Sequence, residues 1–386
     1  MKYLAQNIPS GKRVLVRVDY NVPIENDKIT DDTRIKQSLP TLNSLLDNLN
    51  RVIILSHLGR PEGKDPSLSL EPVRERLQEL LPNKKILLVK DFTQDKNLIE
   101  NQKPDEIILL ENIRFFPGEK NSDQDFTKAL SALGDVYVND GFSVSHRRSA
   151  STTGLPTLLP SFAGLSLEKE LDFLTKLKNP ERPFIAIIGG GKISTKLTLL
   201  DSLAKKVDKI LIGGALANNL LKAKGLEIGQ SKYEPDLMSD TQKLLASSPH
   251  KFVLPIDAKV ENAQGQVLNK DATNIAPQDQ IKDIGDKTIE EFANFIKDAQ
   301  IIVWNGPLGM FEDKRFAHGT EEVLKAVAES SGTTILGGGD TIAAVSSHPE
   351  LAKKISFIST GGGALLEYLE KGSLPAVDAL EQKPLL

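Results

Sequence analysis

Short, continuous apolar runs rich in β-branched residues recur along the whole chain. In the first half they are RVLVRVD (13–19), RVIILSH (51–57), KILLVKD (85–91), EIILLEN (106–112) and DVYVND (135–140). The second half carries FIAIIGG (184–190), KILIGGA (209–215), KFVLPID (251–257), IIVWNGP (301–307), TTILGGG (333–339) and KISFIST (354–360). Runs without polar alternation suit strands buried on both faces. Between them lie segments of helical periodicity: LEPVRERLQELL (70–81), KLTLLDSLAKKV (196–207) and EEVLKAVAE (321–329). Buried strands alternating with amphipathic helices predict parallel sheets flanked by helices. Two such series predict an α/β chain of two doubly wound domains.

The join falls near SLEKELDFLTKLKNPERP (166–183). Leu167, Leu171 and Leu174 repeat at helical spacing, and Pro180 and Pro183 stop the helix. This helix serves either as a hinge element between the domains or as a cap on one of them. The pattern sets an N-terminal domain over 1–168, a linking segment over 169–182 and a C-terminal domain over 183–373. Length agrees with the division, since 386 residues exceed the roughly 250–300 at which one core stops growing.

Composition narrows the class of partner. Apolar residues make up 39% and charged residues 26%, enough for two ordinary cores, and 48 basic against 52 acidic side chains leave a net charge of −4. A general nucleic-acid binder would carry a basic excess, so no nucleic-acid partner is expected. The absence of cysteine excludes disulfides, thiolate metal sites and cysteine nucleophiles. No apolar run reaches the ~18 residues of a membrane span. MKYLAQNIPSGKR has no apolar stretch of the kind a secretory signal carries. A cytoplasmic protein without a membrane partner is expected.

Ligands of open parallel sheets bind at the carboxyl ends of the strands, so the residues there hold the chemistry. The first-half ends supply Asp19 and Asn21, His57 and Arg60, Asn112 and Arg114, then Asn139, Asp140, His146, Arg147 and Arg148. Arg34 follows the first strand in a polar stretch. Planar guanidinium groups bind phosphate and carboxylate through paired hydrogen bonds. One such arginine reads as a solvated surface residue. Several at consecutive strand ends predict a site for a small anion.

The second-half ends are glycine-rich: GGGK (189–192), GGA (213–215), NGPLG (305–309), GGGDT (337–341) and STGGG (359–363). Glycine permits close backbone approach, and a following helix offers free N–H groups to a phosphate. Tight turns for helix–sheet packing would also use glycine, but the repetition at successive ends predicts a nucleotide site. Lys192 and Lys196, four apart before a helical segment, are expected to share a helical face. Asp340 either meets a nucleotide-bound Mg²⁺ or caps the helix that follows.

Two common fingerprints fail. A G-x-x-x-x-G-K-[ST] loop would need glycine at 186 and serine or threonine at 193, where Ala186 and Ile193 stand. A G-x-G-x-x-G loop would need glycine at 194 or 342, where Ser194 and Ile342 stand. His57 and His146 could act as general bases, although in arginine-rich loops a phosphate-facing histidine is the simpler reading. No histidine spacing predicts a zinc site.

RVDYNVP (17–23), SHLGRP (56–61), ENIRF (111–115), VNDGFSVSHRR (138–148), IIGGGKISTK (187–196), WNGPLGMFE (304–312), GGGDT (337–341) and STGGGALLEYLEKGSLP (359–375) together resemble the phosphoglycerate kinases, in order and over nearly the whole chain. The resemblance implies two Rossmann-like domains closing about a hinge, usually in a monomer. It also implies reversible transfer of a phosphoryl group from 1,3-bisphosphoglycerate to ADP, giving 3-phosphoglycerate and ATP. By the same resemblance Asp19 and Asn21 hold the glycerate portion, with Arg17 supporting them. His57, Arg60, Arg114 and Arg147 bind the phosphate end, and Arg34 stabilises the transferring phosphoryl. Lys196 contacts the nucleotide phosphates, Lys192 the transferring group, and Glu312 the ribose. Gly338, Gly339, Asp340 and Thr341 surround the phosphates and Mg²⁺, Gly213 and Gly214 wall the adenine pocket, and Gly338 and Gly361 join the catalytic set. The tail from LPAVDAL (374–380) to 386 returns to the first domain.

The chain departs from the family's usual pattern in places. Arg148 and Ser149 stand in H-R-R-S-A-S where H-R-A-H-A-S is common. Gly141 and Ser143 stand in N-D-G-F-S where N-D-A-F-G is common. Gly191 replaces an alanine, Thr195 an aspartate and Phe357 a histidine. These changes motivate two alternatives: a binding protein without turnover, and a kinase for another acidic metabolite on the same scaffold.

Overall fold

A computed structural model describes residues 1–382. Two compact units emerge. One comprises Met1–Asp172 with the C-terminal segment from Ser373, and the other comprises Phe173–Gly372. Residues 383–386 of the expected returning tail lie outside the described residues.

The first unit is built on six parallel strands: β1 (Arg13–Arg17), β2 (Arg51–Leu55), β3 (Lys85–Val89), β4 (Glu106–Leu110), β5 (Val136–Asn139) and β6 (Ser161–Ala163). Their order across the sheet is β3-β4-β2-β1-β5-β6. Val14 and Val16 face one layer of helices with Val52, Ile54, Ile107 and Leu109, packing against Ile35, Leu42, Val73 and Leu77. Leu15, from the opposite pleat, is equally buried. Strands covered on both faces have no place for polar alternation, which is why the sequence shows none. The chain winds to one side of β1 and then restarts on the other at β5. The loops after β1 and β5 therefore flank the crevice where the winding reverses.

The second unit repeats this plan with β7 (Phe184–Ile188), β8 (Lys209–Ile212), β9 (Phe252–Val253), β13 (Ile301–Asn305), β14 (Thr333–Gly337) and β15 (Phe357–Ser359), ordered β9-β8-β7-β13-β14-β15. Its reversal lies between β7 and β13. Inserted between β9 and β13 is a three-stranded antiparallel sheet of β10 (Asp257–Glu261), β11 (Val267–Asp271) and β12 (Gln280–Ile284), ordered β11-β10-β12.

The α/β class and the two parallel sheets agree with the pattern of apolar runs, but four details differ. The run at 251–257 gives only the two residues of β9, because Pro255 cannot donate to a ladder and the chain turns off into the inserted sheet. That sheet has no apolar run to announce it, since its strands are largely half-exposed. The edge strand β6 was too short to register. The helix expected over 196–207 occupies Leu197–Ala204, with Lys196 outside it at the cap position, so Lys192 and Lys196 do not share a helical face.

The helix through the join runs Leu165–Thr175 and buries Leu167, Leu171 and Leu174. Its N-terminus belongs to the first unit and is tied to the loop after β5. Asp140 Oδ1 accepts from Ser166 N at 2.8 Å and Leu167 N at 3.3 Å, while Leu165 N donates to Thr41 Oγ1 at 2.9 Å. The final helix, Pro375–Glu381, also packs in this unit, with Ala376 N donating to Ser145 O at 3.0 Å. No helix among the described residues is long and apolar enough to cross a membrane. Asp140→Ala should leave two buried N–H groups of that helix end without an acceptor and cost about 2 kcal/mol of stability. Urea unfolding followed by circular dichroism measures this, and an unchanged midpoint would refute the capping role.

Candidate active site

At the carboxyl end of the first sheet, four loops converge. Asp19 stands two residues beyond β1. Its carboxylate accepts from Arg34 Nη1 at 2.8 Å, from Asn21 N at 3.0 Å and from the Ser143 hydroxyl of the loop after β5. Arg34, in the first turn of the helix Thr33–Asp47, also donates from Nη1 to Asn21 O at 3.0 Å. Asn21 Oδ1 accepts from Gly59 N at 2.8 Å, and Arg114 Nη1 donates to Gly59 O at 2.6 Å. The loops after β1, β2 and β4 are thereby fixed to one another.

His57 is 2% exposed. Arg17 Nη2 stands 3.4 Å from its Nδ1. A guanidinium only donates, so Nδ1 accepts and the ring proton sits on Nε2. Burial drives the His57 pKa well below its ordinary value, and Arg17, Arg114 and Arg147 push the same way against the pull of Asp19. With Nδ1 unprotonated, its 3.7 Å approach to Asp19 is neither an ion pair nor a hydrogen bond. Burial also opposes the charge on Asp19. His57 could favour that charge only if protonated, so Arg34 and the hydrogen bonds from Ser143 and Asn21 hold the carboxyl below its usual range.

Beside this cluster opens a cavity of about 550 Å³ lined by six cationic side chains, Arg17, Arg60, Arg114, Lys120, Arg147 and Arg148, and by one carboxylate, Glu119. Burial, then the charges of Arg147 and Arg17, push Arg114 down to about 10. Burial and Arg60 lower Arg147. Arg17 and Arg114 are buried, so their repulsion is poorly screened, and an anion in the cavity would relieve it. Arg60, Arg114 and Arg147 of the expected set thus line the cavity. Asp19, Asn21, Arg34 and His57 form the adjoining cluster, and Arg17 reaches both. Asn112 and Asn139 are spent inside the fold, on Leu58 O and Leu68 O and on Ser145 and Gly141 respectively. Lys120 and Glu119 lacked a signal in the sequence, being neither strand-end arginines nor part of a recognised spacing, and Ser143 stood out only as a departure from the family's pattern.

The second unit has its own cavity, of about 450 Å³, at the reversal of its sheet. The loops after β7 and β13 are joined by Lys196, whose Nζ donates to Gly189 O at 2.5 Å, Asn305 Oδ1 at 2.8 Å and Asn305 O at 3.3 Å. Gly214, at φ +67°, lies so close to this junction that a Cβ would come within 2.5 Å of Gly190 N. Lys192, Gly214, Glu312 and Asp340 of the expected set line the cavity, with Gly190, Gly191, Ala217, Pro307 and Leu308. Lys196, Gly213, Gly338, Gly339, Thr341 and Gly361 are not among its walls. Thr341 Oγ1 accepts from Gly306 N at 2.7 Å, holding the loop after β13, and Gly338, at φ +102°, turns the chain into the helix Gly339–Ser346. Asp340 is the second residue of that helix, inside it and not its cap. The inserted sheet adds walls the sequence pattern had not placed there, among them Lys282 and Asp283. Burial pushes Asp283 up to about 7, although Gly319 N and Ile284 N donate to it.

Among the described residues no group of three or more His, Cys, Asp or Glu side chains could cage a metal. Magnesium beside phosphates needs no cage, since one or two carboxylates, phosphate oxygens and water complete its shell. Asp340, exposed on the cavity wall, fits that mode.

Burial pushes Lys196 down to about 8, against the pull of Asp340. In protein carrying ¹³C-methylated lysines, one resonance should titrate near pH 8 and vanish in Lys196→Arg. A set of lysines all titrating at the ordinary value near 10.4 would contradict the desolvated placement.

The phosphoglycerate kinase family model matches residues 5–372. A phosphoglycerate kinase of Moorella thermoacetica is 46% identical over 387 residues, covering 97% of each chain. One of Legionella pneumophila is 46% identical, covering 97% of this chain and 96% of that one. Among solved structures, the phosphoglycerate kinase of Coxiella burnetii superposes with a TM-score of 0.89 at 37% identity over 98% of both chains. That of Pyrococcus horikoshii gives 0.85 at 31% identity, over 99% of this chain and 98% of the other.

Proposed function

The chain belongs to the phosphoglycerate kinase family and is a kinase acting on 3-phosphoglycerate, and from that premise we propose which residues perform the transfer. The observation that carries the proposal is the pairing of unlike cavities: one lined by guanidinium groups, one by glycine loops.

The arginine cavity takes the phosphate end of 3-phosphoglycerate through Arg60, Arg114 and Arg147. Asp19 and Asn21 receive the glycerate portion, with neutral His57 donating from Nε2. The glycine cavity takes ADP or ATP. Gly214 on its wall faces the base with Gly213 behind it, Glu312 faces the ribose, and Lys192 and Asp340, backed by Lys196 and the rest of the loop 338–341, face the phosphates. Lys196 must give up part of its hold on Asn305 and Gly189 to reach them. Asp340 would hold Mg²⁺, which when bound neutralises charge on the nucleotide phosphates.

In the ATP-forming direction a β-phosphate oxygen of ADP bonds to the acyl phosphorus. The bond from that phosphorus to the carboxyl oxygen breaks, and its electron pair leaves on the 3-phosphoglycerate carboxylate. The nucleophile is already ionised and the leaving group needs no proton, so no general base is required. Charge in the transition state spreads over the equatorial oxygens of the phosphoryl group. Arg34 and Lys192 neutralise it, with Gly338 and Gly361 assigned to the same catalytic set. Direct transfer requires the two substrates to be brought together, and bending near 166–183 is the proposed motion. It would also exclude water that hydrolyses an acyl phosphate. A monomer acting in the cytoplasm completes the proposal. No observation favours the alternatives of a binding protein without turnover or a kinase for another acid.

Mixing the protein with 1,3-bisphosphoglycerate, ADP and Mg²⁺ should yield ATP. Arg34→Ala should lower kcat roughly 100- to 1,000-fold, the cost of one charge partner of the transition state, with little change in unfolding midpoint. A folded sample that forms no ATP sinks the reading. Full activity in Arg34→Ala sinks the role given to Arg34.

A further inference from the structure

Glu119 is 3% exposed and stands among the cations of the first unit's cavity. A carboxylate there weakens the field an anion meets, so its presence calls for a reason. Its hydrogen bonds supply one. Oε1 accepts from Ser149 Oγ at 2.6 Å and from Ser151 Oγ at 2.7 Å, and Oε2 accepts from Ser151 N at 2.9 Å. Ser151 Oγ has given its proton to Glu119 and can only accept, and it accepts from Arg17 Nε at 2.8 Å. The chain continues the other way. Ser149, held by that bond, donates from its N to Thr152 Oγ1 at 3.1 Å, and Thr152 Oγ1 donates to Arg147 O at 2.8 Å. Arg17 and the backbone of Arg147, from different loops, are thus joined through one buried carboxylate.

We propose that Glu119 is a positioning residue of the anion cavity, aiming Arg17 through Ser151 and anchoring the Arg147 loop through Ser149 and Thr152. The inference rests on reading this cavity as the phosphate end of the 3-phosphoglycerate site. Without Glu119, the Ser151 hydroxyl proton would turn toward another acceptor or compete with Arg17 Nε. A 2% exposed guanidinium would then lose the acceptor of its Nε, keeping only Val18 O and His57 Nδ1. Repulsion among the arginines would rotate Arg17 away from its neighbours. Positioning and simple electrostatics therefore predict opposite signs. Removing a negative charge strengthens attraction for an anion, whereas releasing Arg17 weakens it.

Calorimetric titration with 3-phosphoglycerate separates the two. Glu119→Gln keeps the shape and removes the charge. It should weaken binding roughly tenfold, the factor carried by one hydrogen bond to a charged group, and raise KM for 3-phosphoglycerate with KM for ATP unchanged. Ser151→Ala cuts the link to Arg17 without changing any charge and should do the same. The double variant should lose less than the sum of the two single losses, because Glu119 reaches Arg17 only through Ser151. Binding as tight as or tighter than wild type in Glu119→Gln, or additive losses in the double variant, overturns the inference. Should Glu119→Gln fail to fold, Ser151→Ala decides alone, and unweakened binding there is equally fatal. Arg147→Ala tests the underlying reading. If it leaves 3-phosphoglycerate binding unchanged, the cavity is not the phosphate end and the inference falls with that reading. If it weakens binding while Glu119→Gln does not, the positioning role alone is lost.

Discussion

Like charges repel most where water is scarce, and the first unit crowds Arg17, Arg60, Arg114 and Arg147 around one cavity. The fall of Arg114 to about 10 records this crowding together with burial. Such an arrangement is unstable by itself and must be held by the fold. Asp19 holds Arg34, and Glu119 reaches Arg17 through Ser151. Both carboxylates are internal to the protein and face inward onto donors, so a ligand phosphate still finds guanidinium groups in excess. The same field explains the state of His57. Another proton among these arginines would add a positive charge to a buried site, and the ring stays neutral. The sheet order follows from this demand. Loops that leave neighbouring parallel strands on the same edge bring Asp19 and Ser143, 124 positions apart, into contact.

The second unit meets a different demand with the same topology. A nucleotide is long and its phosphates are several, so close backbone approach matters more than concentrated charge. Lys196 spends its ammonium on carbonyls at the junction of the loops after β7 and β13. Burial there lowers its pKa to about 8. A lysine in this state fixes the junction and keeps a proton that is easily lost unless a phosphate arrives. Lys192, exposed on the cavity wall, carries its charge at lower cost. The two lysines therefore differ in environment although the sequence sets them four apart.

What was legible in the sequence is what local pattern encodes. Every parallel strand except the short edge strand β6 announced itself by an apolar run, and the rule that ligands gather at carboxyl ends located Arg60, Arg114, Arg147, Lys192 and Asp340. What was not legible depends on contacts between distant segments or on polar surfaces. The inserted sheet of β10, β11 and β12 is half-exposed and lacks an apolar signal, so the cavity walls at Lys282 and Asp283 could not be foreseen. Lys192 and Lys196 were expected on one helical face because their spacing allows it. The loop is instead pinned by Ser194, whose N and Oγ donate to Glu234 at 2.9 and 2.7 Å, and the helix starts later. Glu119 gives no local hint of its partners, which lie 30 and 32 positions away.

Two departures from the family's usual pattern, Arg148 and Gly191, line the cavities, and Ser143, Ser149 and Phe357 act on the structure around them. Phe357, where a histidine is common, stacks on Phe173 with ring centroids 4.5 Å apart and planes 11° from parallel. Offset aromatic pairs of this kind contribute about 0.5–1.5 kcal/mol, enough to replace a polar contact there. Ser149, where a second histidine is common, donates a hydrogen bond to Glu119. A hydrolase that lost an active-site histidine in this way would lose its general base. Transfer from an acyl phosphate to an ionised phosphate oxygen moves no proton, so its site is judged by charge and position alone. By that measure a serine that orders Glu119, and through it Arg17, is an adequate exchange for an imidazole whose own charge the neighbouring arginines would suppress.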